Sequence, residues 1–231
     1  TGAQRSTDRP SSDASLNMIS SVIFASQKML NGVYLAMHSS IEDNVVSIHS
    51  GVRVRKNHTS KRDAFQSIGI EPIATVNQDK VTVRSELPKN NKKFEPKINF
   101  NEDVSLLKFH PGFNSKIIDM VVNSGSKGII LEGTGLGHVN SRCNKSIKNA
   151  IDKGMFVGMT SQCLRGRIKM TVYSAGRNLL EIGVTPLEDM IPETALVKLM
   201  WAYGNYQDDE IKEIMLKNIT GEYTKRSKLG R

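Results

Sequence analysis

The chain has little of three things, and each scarcity removes a class of function. Only 2 cysteines occur in 231 residues, Cys143 and Cys163, and neither has a CxxC or CxxxH partner. Spacing therefore argues for neither a zinc site nor a disulfide framework, and two free thiols of a cytoplasmic protein are the expectation. No apolar run approaches the roughly 20 residues of a helical bilayer span, so no membrane role is expected. Aromatic residues make up 6% of the chain, and none interleaves with the basic runs as a base-stacking platform would.

What is present is a globular composition with a basic excess. The hydrophobic share of 38% and charged share of 24% are ordinary, and the length suits one large core or two modest ones. A net charge of +9 favours phosphate polyanions through counterion release. Lysine and arginine cluster at 53–62, 89–97 and 225–231. Such clusters suit a solvated or partner-facing surface as well as direct contact with nucleic acid.

Apolar periodicity organises the chain into two halves. Residues Thr1 to Ala14 read as the irregular turn after a strand, so the chain is expected to enter in the middle of a fold. Ser11, Ser12 or Asp13 then caps a helix carrying Leu16, Ile19, Ile23 and Leu30. Short strand-like runs follow at 33–37, 45–49, 53–56, 72–76 and 81–84, with a turn at Asn77-Gln78-Asp79. Residues 1–84 are read as the remainder of one α/β domain, 85–103 as a Lys/Asn/Pro/Glu-rich linker, and 104–231 as a second α/β domain. In the second domain, strands at 104–109, 128–132 and 156–160 alternate with helices at 115–123 and 141–153, the pattern of parallel βαβ units. Two helices close the chain at 192–203 and 208–217, with Gly204 as the stop of the first.

Three stretches can carry chemistry. In Gly51 to Ser60, Lys56 stands among Arg53, Arg55 and polar groups. Neighbouring cations disfavour a charged lysine, which suits it to proton transfer, although a solvated strand end satisfies the same pattern. In Leu131 to Val139, a glycine-rich loop, Gly133-Thr134-Gly135-Leu136-Gly137-His138, follows an apolar strand. A dinucleotide site would want an acidic residue near the end of the next strand, and Phe156 to Gln162 has none. The third stretch pairs Val172-Tyr173-Ser174-Ala175-Gly176-Arg177 with an amphipathic helix burying Leu196, Leu199, Met200 and Tyr203.

These stretches together resemble the L-asparaginase/glutaminase family. Thr1-Gly2-Ala3-Gln4-Arg5 is similar to the loop after the family's second catalytic threonine-aspartate pair, and Arg53 to Ser67 is similar to its catalytic-lysine region. The tail Asn218 to Ser227 is most similar to the family's archaeal glutamyl-tRNA(Gln) amidotransferase branch. The resemblance implies an α/β fold of two Rossmann-like domains with parallel sheets, the first N-terminally truncated. It implies Lys56 as catalytic, and Ala3, His138 and Tyr173 as substrate-binding, with no metal. The glycine-rich loop would reach the active site of a neighbouring subunit, in a homodimer formed through the C-terminal domain. No cofactor is expected on this chain, with ATP and magnesium on an amidotransferase partner subunit. Glutamine or asparagine would be the substrate, and tRNA(Gln) an indirect partner.

The sequence departs from the family pattern in one respect. The TGGT-type and HGTDT-type motifs that supply the family's threonines do not occur within the 231 residues. The chain by itself is therefore expected to be inactive. A freestanding cytoplasmic asparaginase and a non-enzymatic basic nucleic-acid-binding module are the alternative readings.

Overall fold

The computed structural model describes residues 1–28, 30–84 and 95–226. The chain divides into two compact units, Thr1–Phe94 and Glu95–Arg231. The linker reading of 85–103 straddles this division, since 85–94 lie outside the described residues while 95–103 belong to the second unit. There Asn101 N–H donates to the Met200 carbonyl at 2.9 Å, and Trp201 Nε1 donates to the Lys97 carbonyl at 2.9 Å.

The N-terminal unit places helix α1 (Ala14–Ser26) on a sheet of β1 (Tyr34–His38), β2 (Val45–Ser50), β5 (Ala74–Asn77) and β6 (Lys80–Val83), in the order β1-β2-β5-β6. A separate two-stranded ribbon holds β3 (Val54–Lys56) and β4 (Phe65–Ser67). Ala36, Val46, Ile48, Ala74 and Val76 form the core, with Leu16, Ile23 and Phe24 of α1 packed against it. Two expectations need correction here. The described strands of this unit pair antiparallel throughout, not parallel. The β1–β2 connection at 39–44 and the Gln78-Asp79 turn contain no helix, and a parallel crossover needs a dozen or more residues. Helix α1 ends at Ser26, so Leu30 lies outside it, and Ile19 is 57% exposed.

The C-terminal unit is built on a parallel sheet of β7 (Val104–Lys108), β8 (Gly128–Gly133), β9 (Phe156–Ser161) and β10 (Thr185–Pro186), in the order β10-β9-β8-β7. The expected βαβ crossovers are present in α2 (Lys116–Asn123) and α3 (Asn144–Asp152), the latter entered through a 3-10 turn at Ser141–Cys143. Helix α4 (Ser174–Ile182) and strand β10 escaped the periodicity reading. Alternation along β8 divides its side chains between two apolar layers. Ile129 and Leu131 face Ile118, Ile147 and Leu179 of α2, α3 and α4. Ile130 faces the other layer, with Leu199 and Tyr203 of α5 (Pro192–Asn205) and Ile211 and Met215 of α6 (Ile211–Leu216). Burial on both faces explains why β8 is an unbroken apolar run up to Glu132.

Gly204 is not the stop of α5, which runs on through it to Asn205. Its role is close approach: a Cβ there would lie 2.5 Å from the Asn99 carbonyl oxygen. Among the described residues, no helix is long and apolar enough to cross a membrane.

Candidate functional site

In the N-terminal unit, the loop bearing Ala3 is shaped by groups at the start of α1. Asp13, which the sequence offers as a helix cap, makes no capping bond and turns its buried carboxylate back toward the loop. It accepts the N–H groups of Gln4 and Arg5, each at 3.0 Å. Burial pushes the Asp13 carboxyl pKa up, but these N–H donors, its own backbone and the nearby His38 outweigh that and hold it below the usual value. Asn17, one helical turn on, donates to the Gly2 carbonyl at 2.9 Å and to Asp13 at 3.0 Å. Ala3 is exposed on the loop these bonds define.

Lys56 closes β3 directly opposite Phe65 of β4, exposed, with its ammonium 5.7 Å from the Phe65 ring centroid. The crowding by arginine expected from sequence takes another form. Arg53 is turned inward and buried, its Nε donating to the Ile68 carbonyl at 3.0 Å. That bond and the 2.8 Å contact between His49 Nδ1 and Ser67 Oγ seat the ribbon beneath Lys56. Thr59 and Ser60 sit in the exposed turn of the ribbon. The partly buried Asp63 keeps one carboxylate oxygen, Oδ1, without a hydrogen-bond partner among the described residues.

In the C-terminal unit, the glycine-rich loop leaves β8 and folds back on itself. Thr134 N–H donates to the His138 carbonyl at 2.9 Å, while Gly137 N–H and His138 N–H donate to the Thr134 carbonyl at 3.0 and 3.1 Å. Three N–H groups that a phosphate-binding loop would present are thus consumed internally, which disfavours the dinucleotide reading. Gly137 has φ +94°, and a Cβ there would press within 3.1 Å of Met159. The structure brings His138 and Tyr173 together, their ring centroids 5.6 Å apart at 60°. Tyr173 precedes α4 and is exposed, whereas His138 Nε2 is buried without a hydrogen-bond partner among the described residues. Beside this loop, Ser161 Oγ donates to the Gly135 carbonyl at 2.6 Å and accepts the N–H of the exposed Cys163 at 3.1 Å. Cys143 is buried, which pushes its thiol pKa up. No group of three or more metal-ligating side chains occurs among the described residues.

Of the four sequence-assigned residues, Ala3 and Lys56 fall in the N-terminal unit and His138 and Tyr173 in the other. Sequence reasoning missed Asn17, His38 and Asp43. For Asn17 and His38 the available signal was a polar residue set into an apolar helix or strand, whereas Asp43 lies in the β1–β2 connection and carries no such signal.

Comparison with known proteins follows the same division. Residues 1–89 match the family described as Asparaginase, N-terminal, and residues 103–215 match the Glutaminase/Asparaginase C-terminal domain. The chain is 49% identical over 232 residues to a glutamyl-tRNA(Gln) amidotransferase subunit of Metallosphaera sedula, covering 99% of this chain and 53% of the relative. It is 47% identical to the subunit of the same name from Pyrococcus abyssi, covering 96% of this chain and 52% of the relative. The chain thus spans about half the length of the curated relatives it matches. Among solved structures it resembles the thermostable L-asparaginase from Thermococcus kodakarensis, with TM-score 0.87 and 34% identity over 97% of this chain and 67% of that one. L-asparaginase I from Vibrio cholerae matches with TM-score 0.85 and 25% identity, over 96% of this chain and 67% of that one. The chain belongs to the asparaginase/glutaminase family.

Proposed function

We propose that this chain forms part of the amide-hydrolysing subunit of a tRNA-dependent amidotransferase. In this reading a threonine attacks the side-chain amide of glutamine, or of asparagine, ammonia leaves, and water then releases the acid from the acyl-threonine. The ammonia passes to a partner subunit that amidates glutamate on tRNA(Gln), with ATP and magnesium on that partner. The observation that carries the reading is the 49% identity, over 99% of the chain, to a protein named as a subunit of such an amidotransferase.

Within it, Lys56 moves a proton during attack on the amide, its exposed ammonium supported by the anchored β3–β4 ribbon. The Ala3 loop binds the substrate through its ordered backbone. His138 and Tyr173 meet the substrate's amino or carboxylate group in a neighbouring subunit, within a homodimer formed through the C-terminal unit. The unpaired thiols of Cys143 and Cys163 suit a reducing cytoplasm.

The test is the glutaminase rate of the full-length protein with and without the partner subunit and Glu-tRNA(Gln). The rate should rise on their addition, and the complex should weaken as salt increases. Full-speed turnover of asparagine by the protein alone, indifferent to partner and tRNA, would favour a freestanding asparaginase, the reading that the Thermococcus kodakarensis likeness supports. Salt-dependent RNA binding without any amide hydrolysis would favour a nucleic-acid-binding module.

A further inference from the structure

A chain of polar contacts joins the two parts of the N-terminal unit to which the proposed chemistry is assigned. Asn17 and His38 are both 0% exposed. The amide nitrogen of Asn17 faces the Gly2 carbonyl and Asp13, so its two hydrogens are committed and its Oδ1 must accept. It accepts from His38 Nδ1 at 2.7 Å. His38 Nε2 lies 3.1 Å from Asp43 Oδ1, and Asp43 pairs with Arg62. Arg62 belongs to the turn joining β3 to β4, the ribbon whose first strand ends in Lys56. At the other end, Asp13 holds the Gln4 and Arg5 N–H groups beside Ala3.

Apolar side chains at positions 17 and 38 would fill the same space between helix and sheet without the desolvation cost of fully buried polar groups. Their contribution is geometric specification. The amide nitrogen of Asn17 donates to the Gly2 carbonyl and to Asp13, with the weaker acceptor Met37 Sδ at 3.6 Å, and its oxygen faces His38, so the loop, the start of α1, the end of β1 and the ribbon turn are fixed against one another.

We propose that Asn17 and His38 are positioning residues that hold the Ala3 loop in register with the Lys56 ribbon, with Asp43 and Arg62 as the link between them. The proposal rests on the reading of Ala3 and Lys56 as site residues. Misplacement of a reacting geometry by an ångström costs about a hundredfold in rate.

The test uses the full-length protein and two variants of Asp43, whose side chain is 64% exposed and whose replacement should leave folding intact. Asp43→Ala is expected to speed amide hydrogen exchange at Gln4 and Arg5, neither of which bonds to Asp43, and to lower kcat on glutamine by about tenfold to a hundredfold with KM less changed. Asp43→Asn, which keeps an acceptor facing His38, should restore most of both. Unchanged exchange at Gln4 and Arg5 in Asp43→Ala overturns the proposal, as does a wild-type kcat in an active enzyme. If the wild-type protein hydrolyses neither glutamine nor asparagine, the functional reading fails, and the exchange measurement still decides whether the loop and ribbon are linked.

Discussion

The ammonium of Lys198 lies 3.0 Å from the carboxylate of Glu222, with each side chain 5% exposed. Lys198 projects from α5, and its ammonium also donates to the Lys217 carbonyl just past α6. Glu222 accepts the N–H groups of Ile219 and Thr220, each at 2.8 Å. Burial lowers the Lys198 pKa, and the charge and hydrogen bond of Glu222 restore part of the loss. The pair therefore fastens the segment after α6 to the body of the C-terminal unit. Removing one partner strands a buried charge, so Lys198→Met or Glu222→Gln should each cost about 3–5 kcal/mol in denaturant unfolding. The double variant Lys198→Met/Glu222→Gln, which removes both charges and keeps an acceptor for the Ile219 and Thr220 N–H groups, should be markedly more stable than either single one. Equal losses in all three would show that packing, not the uncompensated charge, dominates.

A second prediction concerns acid. Burial pushes the His49 pKa from 6.5 to about 4, with Nδ1 hydrogen-bonded to Ser67 Oγ. Between those values the unfolded chain binds a proton that the folded chain excludes. The contribution of His49 is thus complete above pH 6.5 and is lost as pH falls toward 4, by about 3 kcal/mol in all. Asp13 acts lower on the scale, because its pKa is held below 3.8 in the folded state and its contribution disappears only as pH falls through that lowered value. Denaturant midpoints of the chain between pH 7.5 and 4.5 should fall steeply, and a His49→Gln variant should show a flatter profile. A slope indifferent to that substitution would assign the acid sensitivity to other groups.

Lys56→Met in the full-length protein should lower turnover by about 10² to 10⁴, the range for loss of a general acid or base, with KM changed far less. Retention of more than about a tenth of wild-type turnover falls outside that range and would return Lys56 to the solvated strand end that its composition allows.

Gly176 lies in the first turn of α4, where an added Cβ would stand 2.3 Å from the Met170 carbonyl oxygen. Because the obstacle is backbone, it cannot rotate away. Gly176→Ala should destabilise the C-terminal unit by about 1–3 kcal/mol in thermal or denaturant unfolding, within the usual range for overpacking. Unaltered stability would mean that the Met170 backbone yields at no cost.

The parts legible in the sequence were those where periodicity or a local motif decides the outcome. The apolar run ending at Glu132 and the helices before and after it in the chain announce parallel βαβ units, and that parallel sheet is present. The N-terminal unit misled because short apolar runs look alike in parallel and antiparallel sheets, and only the helix-free connections at 39–44 and 78–79 tell them apart. Gly204 read as a helix stop because its neighbour in space, Asn99, is about a hundred residues away in the chain. The same limit hid Asn17 and His38. A sequence shows that a residue can hydrogen-bond, and only the fold shows that the partners are there.

The contrast between the two cysteines offers a practical handle. Cys143 is enclosed by the layer of α2, α3 and α4, while Cys163 stands in solvent one hydrogen bond from Ser161, which itself holds the Gly135 carbonyl. A thiol-reactive fluorophore should attach to Cys163 in preference to Cys143. This chain accordingly carries a native labelling position beside its glycine-rich loop, through which changes in that loop could be followed optically without engineering a new side chain.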